Sequence, residues 1–422
     1  MKNKRLKHAY GTGGSIIVDQ CQVCNSTELE RVLFLGYLPP VNTMPVIGQM
    51  PKEEPSYPAL FLKCTQCQLF QLGLIVDPKI LFPPEYPYTS GTTKILRENF
   101  AELYRECRKL IPITNNDLVV DIGSNDGTLL SNFAPYHNVY GIEPAEVGNL
   151  ANKNGISTLI TYLNAQSVAK IKKEKGRAKI ITATNVFAHI EDIQEVVKNV
   201  LELLDNDGVF ITESHYLYSL IETLQYDTIY HEHLRYYSLQ SLTYLFNKHG
   251  LEIFHAKRIP THGGSIRVYA SRMNQYNKLS SVDELLKYEK KRALDTKRLK
   301  EFNYRVVSSK LQLLSLLSKI KAKRKTICGI GAPSRASTFI NYIGLDEGII
   351  DCVLEIKGSH KIGKYVPGTM IPVVEESYLW RKQPDYAMLF SWHIADELIP
   401  KLKNKGFKGI FIVPLPEPRI IT

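Results

Sequence analysis

The stretch DLVVDIGSNDGTLL, residues 117–130, decides the reading of this 422-residue chain. Its first half, Asp117 to Ile122, is a short apolar run after a helical stretch, and Gly123, Ser124, Asn125, Asp126 and Gly127 follow at once. This order predicts a strand, a glycine-rich turn and then a helix over TLLSNFA. Glycines let such a turn approach a ligand closely, and a helix start aims backbone N–H groups at it. Twenty residues beyond Gly123 stands Glu143, at the end of a second expected strand, NVYGIEP. An acid at that place can accept hydrogen bonds from two ribose hydroxyls. Strand, turn, helix, strand and acid together predict a nucleoside-binding unit.

A dinucleotide fingerprint reads G-x-G-x-x-G. Here the turn reads G-S-N-D-G, with Asp121 two residues ahead of the first glycine, and no phosphate cradle is evident. The pattern resembles motif I of the class I S-adenosylmethionine methyltransferases, whose cofactor has no phosphate to hold. KIITATNVFAHIED reads as strand four with its exit loop and GVFITESHYL as strand five. Alternating strands and helices predict an α/β fold with a parallel, Rossmann-like sheet and its site at the strand C-terminal ends. The resemblance implies cofactor contacts from Asp121, Gly123, Ser124, Asn125, Gly127, Glu143 and, past strand four, Asn185.

Working outward toward the N-terminus, Cys21 and Cys24 form one C-x-x-C pair and Cys64 and Cys67 another. Thiolates at that spacing can face one ion, and two such knuckles complete a tetrahedral four-thiolate zinc shell with no open position. The zinc expected here is structural, one per chain. The 39 residues between the pairs hold a strand-like VLFLGYLP and a Pro-rich turn able to bring them together. Cys107, Cys328 and Cys352 are isolated and read as packing residues.

Composition sets the outer limits. With 44% hydrophobic and 10% aromatic residues the chain can build sizeable cores, which excludes wholesale disorder and a fibrous protein. No window reaches the roughly 18 uninterrupted apolar residues of a membrane helix. The basic N-terminus lacks the apolar core of a secretory signal, so a cytoplasmic protein without membrane contact is expected. The formal charge is +11, but residues 283–325 carry 14 Lys or Arg against five Asp or Glu. In that stretch Leu299, Phe302, Val306, Leu313, Leu317 and Ile320 recur at helical spacing, which predicts a connecting helix with a wet basic face. Charge confined to one helix face argues against a nucleic-acid partner.

Further segments then follow in order: YHEHLRYYS at 230–238, THGGSIRVY at 261–269, GIGAPSRASTFINYIG, KIGKYVPGTMIPV and PDYAMLFSWHIADEL. Together with the cysteine pairs and the glycine turn they resemble the nucleotide-sugar C-methyltransferases, from about Cys21 to Pro416. The resemblance implies S-adenosylmethionine and zinc as cofactors and methylation at C-3 of a nucleotide-linked 4-keto-deoxyhexose. It also implies an N-terminal zinc module (1–76), a central methyltransferase domain (77–280), a basic connecting helix (281–326) and a C-terminal α/β domain (327–422) that helps hold the nucleotide.

That chemistry needs a base for the carbon acid beside the ketone and an electrophile for the oxyanion. YHEH supplies a phenol, a carboxylate and two imidazoles within four residues. An extended segment would put Tyr230 and Glu232 on one face and His231 and His233 on the other, a constraint that a loop relaxes. The family places the Tyr, the Glu and the second His at the sugar, which carries over to Tyr230, Glu232 and His233. His233 is the leading base, because an imidazole titrates near neutral pH. Glu232 would orient it or a sugar hydroxyl, and Tyr230 would donate to the oxyanion. His189, just past strand four, is a second catalytic candidate. The family also brings a tyrosine from the loop EYPYTSG, leaving Tyr86 and Tyr88 as alternatives; its pattern often continues with a second Ser and an Asp, where this chain has Gly91, Thr92, Thr93 and Lys94.

In the C-terminal part, GIGAPS lacks a third glycine at Ser334, so a working dinucleotide site is not expected. Arg335 stands where many members have Lys, and its guanidinium would grip a diphosphate at two points. His262, Gly263, Gly264 and Arg267 are further substrate candidates. The rival readings are a small-molecule O- or N-methyltransferase, an RNA methyltransferase and a non-catalytic zinc-organised binding module. Which nucleotide and which sugar is bound, and the oligomeric state, stay open.

Overall fold

The computed structural model describes residues 14–49, 53–82, 91 and 93–422. Five strands open the chain: β1 (Ile16–Ile17), β2 (Leu29–Leu38), β3 (Tyr57–Cys64), β4 (Phe70–Leu72) and β5 (Leu74–Ile75). The expected strand VLFLGYLP lies almost wholly in β2. Antiparallel pairing of β2 with β3 sets Leu29 opposite Cys64, so the register of the hairpin carries the second cysteine pair to the first.

The next eight strands are β6 (Leu118–Ile122), β7 (Asn138–Ile142), β8 (Thr158–Leu159), β9 (Ala178–Thr184), β10 (Leu204–His215), β11 (Arg235–Tyr236), β12 (Leu251–Ile259) and β13 (Ser265–Arg272). Seven of them form one sheet in the order β12-β13-β10-β9-β6-β7-β8. The strands from β8 to β10 run parallel, and β13 is inserted antiparallel between β10 and β12. Every residue of β6 is buried, as a parallel strand covered on both faces requires. The eighth strand, β11, leaves this sheet and pairs with β4, so the segment after YHEH is stitched to the zinc module.

The last six strands are β14 (Ile327–Ile330), β15 (Cys352–Glu355), β16 (Val373–Glu375), β17 (Tyr386–Leu389), β18 (Ile410–Val413) and β19 (Arg419–Ile421). They form a second doubly wound sheet, β16-β15-β14-β17-β18-β19, parallel except for β19. Its order reverses at β14, the strand that feeds the GIGAPS turn. One continuous apolar core runs from Cys21 and Val23 through the central sheet to Leu415.

Two local expectations are corrected. TLLSNFA forms a single 3₁₀ turn, Leu130–Asn132, in place of a helix. Ser131 and Asn132 hydrogen-bond back to the Thr128 carbonyl, competing with a helical ladder, and Pro135 follows directly. The connecting helix is two helices, Ser280–Lys291 and Thr296–Lys321. Asp295 starts the second by accepting the Arg298 N–H at 2.8 Å. The apolar stripe Leu299, Phe302, Val306, Leu313, Leu317 and Ile320 is buried along it.

Candidate active site

The glycine turn sits between the ends of β6 and β7. Gly123, Asn125 and Gly127 all adopt positive φ, at 71°, 51° and 79°. A Cβ on Gly123 would come within 2.9 Å of the Val186 side chain, so turn and β9 exit loop meet with no space for a larger residue. Glu143 ends β7 buried, its two oxygens accepting the Asn125 N–H at 2.9 Å and the Ala145 N–H at 2.8 Å. Asp121 is buried and takes the Thr182 hydroxyl at 2.6 Å. Burial, with the charges of Glu143 and Glu213 nearby, pushes its carboxyl up to about 7. Ser124 Oγ is buried without a hydrogen-bond partner among the described residues. Asn185, at φ 57°, donates its backbone N–H to the Glu213 carbonyl. The positive-φ turn, the buried acid and the Ser124 hydroxyl fit the nucleoside part of S-adenosylmethionine, with no basic phosphate clamp on these residues.

Beside this cleft the chain gathers histidines from four segments. His189 comes from the β9 exit loop and His215 from the end of β10. His233 comes from the turn after Tyr230, and His262 from the turn before β13. The rings of His189 and His233 lie 4.9 Å apart, those of His215 and His233 6.1 Å, and those of Tyr230 and His233 4.2 Å. YHEH is not extended: the His233 N–H reaches the Tyr230 carbonyl at 2.9 Å and closes a turn. Tyr230 and His233 therefore pack together, while His231 points away to the Pro58 carbonyl and the Tyr57 ring.

Burial holds these imidazoles neutral. It pushes His233 and His262 down to about 4 and His393 down to about 3, with Arg335 opposing protonation of all three. His189 and His215 are also held well below the ordinary value, by burial and then by His233. His189 Nδ1, His215 Nε2 and His262 Nε2 are buried with no hydrogen-bond partner among the described residues. Unpaired ring nitrogens converging on one place mark where a polar ligand belongs.

A buried guanidinium holds the β9 exit loop in place. Arg235 donates to the Ile190 carbonyl, to the Glu191 carbonyl at 3.2 Å, and to the Gln22 side chain inside the first cysteine knuckle. That knuckle is gripped again by Gln194, at the Gln22 and Val23 carbonyls, and by Lys248, at the Val23 carbonyl 2.7 Å away.

Cys21, Cys24, Cys64 and Cys67 bring their Sγ atoms within 4.8 Å of one another. The Val23 and Cys24 N–H groups point at Cys21 Sγ, 3.4 and 3.5 Å away. The Cys67 thiol first, and then these donors, lower the Cys21 thiol to about 5. A closed set of four sulfurs supported by backbone N–H groups suits tetrahedral zinc.

Several sequence candidates land elsewhere. Arg267 is fully buried within a charge cluster, on Glu213 at 2.6 Å, Glu102 at 2.5 Å and Glu106 at 2.8 Å. Its place in β13 is directly across from Glu213 in β10, which occupies its guanidinium. The Arg335 fork is likewise taken, by Asp227 at 2.7 and 2.8 Å, so it joins the C-terminal sheet to the central domain and is not free for a diphosphate. Gly263 makes room for the Gln225 amide, which donates to its carbonyl at 2.7 Å. Tyr86 and Tyr88 lie outside the described residues. Gly91, at the end of their loop, donates to Asp126 in the glycine turn at 2.9 Å. Sequence reasoning missed His215, His393 and Asn42. His215 carried a usable signal, since it ends strand five as His189 follows strand four.

Sheet order, glycine turn and the buried acid of β7 define an S-adenosylmethionine-dependent methyltransferase carrying a four-cysteine zinc module. Comparison with known proteins agrees. Residues 260–416 match the family model of the C-methyltransferase C-terminal domain, residues 95–256 that of a methyltransferase domain, and residues 21–82 that of a zinc binding domain. The chain is 32% identical over 412 residues to the C-methyltransferase NovU of Streptomyces niveus, covering 96% of this chain and 97% of NovU. The chain belongs to the C-methyltransferase family. Among solved structures, an S-adenosylmethionine-dependent methyltransferase from Anabaena variabilis is 16% identical at TM-score 0.35, over 44% of this chain and 88% of that one. The magnesium protoporphyrin IX methyltransferase of Synechocystis, solved with bound S-adenosylmethionine, is 14% identical at TM-score 0.31, over 42% and 77%. No helix among the described residues is long and apolar enough to cross a membrane.

Proposed function

We propose that this enzyme methylates C-3 of a nucleotide-linked 4-keto-deoxyhexose through an enolate. The observation that carries the reading is the set of His233. Its Nδ1 lies 2.9 Å from the Thr228 carbonyl oxygen, which can only accept, so Nδ1 carries the proton and Nε2 keeps the lone pair. Burial keeps that lone pair unprotonated at neutral pH. A buried neutral imidazole of fixed tautomer beside a phenol is the base that a carbon acid next to a ketone requires.

On this reading His233 Nε2 takes the C-3 proton and the electron pair moves onto the ketone oxygen. Tyr230, packed against His233, donates to that oxyanion, and His189 lines the space between acceptor and cofactor. S-adenosylmethionine, when bound, supplies an electrophilic methyl group. Asp121, Glu143, Asn185 and the turn from Gly123 to Gly127 would hold the cofactor. Glu232 holds a sugar hydroxyl. Cys21, Cys24, Cys64 and Cys67 would close around a zinc ion and leave no open position for chemistry.

The test is proton NMR in heavy water with a panel of 4-ketohexose nucleotides, with and without S-adenosylmethionine. Exchange and methylation at the carbon beside the ketone support the enolate route. Cofactor binding without exchange for any acceptor removes it in favour of O- or N-methylation.

A further inference from the structure

Asn42 lies in LPPVNTMP, the segment that leaves β2 of the zinc module. Its Nδ2 donates to Glu232 Oε1 at 2.7 Å, and its Oδ1 accepts the Ser334 hydroxyl at 3.2 Å. With both ends used, the amide has one orientation: turning it over would set its oxygen against a carboxylate. One side chain thus joins the zinc module, the YHEH turn and the first turn of helix Ser334–Ile343 in the C-terminal domain. The segment is itself pinned to that domain. The Tyr365 N–H reaches the Pro45 carbonyl at 2.7 Å, the Ile47 N–H reaches the Gly363 carbonyl at 2.9 Å, and Val46 bridges to Lys364.

We propose that Asn42 is a positioning residue for methyl transfer, which fixes the orientation of the Glu232 carboxylate at the acceptor site. This rests on the reading of Glu232 as a sugar-site residue. A carboxylate on a turn has rotamers to choose from, and a hydroxyl of the acceptor is held in register only if one of them is enforced. Asn42 enforces it without adding charge. Among the described residues the Lys361 ammonium faces both Glu232 and Glu355 and donates to the Ala332 carbonyl at 2.5 Å. On its own turn stand Tyr230, His231 and His233, and the Glu232 backbone carbonyl meets the His189 ring. The amide donor and the Lys361 ammonium both face this carboxylate, whereas an aspartate at position 42 would place a second carboxylate against it.

The experiment uses full-length, zinc-loaded protein as wild type, Asn42→Ala and Asn42→Asp. Zinc content and S-adenosylmethionine affinity report on the fold. The readouts are kcat and KM for a 4-ketohexose nucleotide, and the carboxyl titration of Glu232 by carbon-13 NMR, assigned by difference against Glu232→Gln. Asn42→Ala is expected to lower kcat by up to about 100-fold with cofactor affinity unchanged. Asn42→Asp is expected to raise the Glu232 midpoint by at least about one unit and to carry the acid limb of the pH–rate profile with it. Should Asn42→Asp not fold, the midpoint in Asn42→Ala decides, since loss of the donor also moves it upward. Wild-type kcat in Asn42→Ala, or an unmoved midpoint, overturns the proposal. If the wild type methylates no 4-ketohexose nucleotide, the substrate reading fails alone, and the carboxyl titration still decides the role of Asn42.

Discussion

His233 Nδ1 stands 2.9 Å from the carbonyl oxygen of Thr228, a residue of the 3₁₀ turn five positions earlier. One backbone acceptor thereby chooses the ring tautomer and aims Nε2 at the pocket. Replacing His233 with Ala or Gln should lower kcat by about 100- to 10,000-fold, the usual worth of a positioned base. S-adenosylmethionine affinity should stay near wild type, because the cofactor residues lie on other segments. Isothermal titration beside steady-state kinetics checks both halves, and retained turnover would remove His233 from the base role.

Acid should destabilise this protein well above the carboxylate range. His231, His233 and His262 are pushed down to about 4, each by burial first. Between pH 6.5 and about 4 the unfolded chain binds protons at these rings and the folded chain does not, so stability falls as pH falls through that window. Each such ring contributes about 1.4 kcal/mol per pH unit there. His231 points away from the pocket, so His231→Leu should flatten the slope of Tm against pH without altering the reaction. An unchanged slope would mean that His231 titrates normally.

Zinc should be found at one ion per chain, and Cys67→Ser should lower both metal content and Tm. Among the four sulfurs, Cys21 and Cys67 approach to 3.4 Å and Cys24 and Cys64 to 3.5 Å, so loss of one thiolate opens the shell. Atomic absorption and thermal melts of the same samples test this. A metal-free chain that melts like the wild type would contradict it.

Arg267 should matter for folding and not for substrate. Its removal leaves Glu213 buried without its cation, and Arg267→Met should cost about 3–5 kcal/mol. At a temperature where the variant is folded, KM for the acceptor should match wild type. A raised KM with unchanged stability would return Arg267 to the binding site.

Much of this molecule was legible where the signal is local. DLVVDI, the turn at Gly123, Glu143 and the paired cysteines each declare themselves within a few residues, and the structure puts them where that spacing implies. Partners distant in sequence leave no such local signal. Arg267 follows a GGS turn and looks like a ligand contact, yet a strand 54 residues away in sequence supplies its partner, Glu213. Arg335 likewise meets Asp227 from 108 residues away. Asn42 and His393 carry no periodic or spacing signal, because only packing of the two sheets and the zinc module brings them to Glu232 and Arg335. The TLLSNFA turn failed as a helix for a local reason, the Ser131 and Asn132 side chains binding the Thr128 carbonyl.

The grip of Arg235 on both Gln22 and the β9 exit loop ties the chemistry of this enzyme to the cell's metal supply. Loss of the ion would loosen the Gln22 end of that contact, and the segment it would release is the loop beneath His189. Under zinc starvation such a protein would persist as a folded, cofactor-binding molecule that has fallen silent, ready to be revived by one ion.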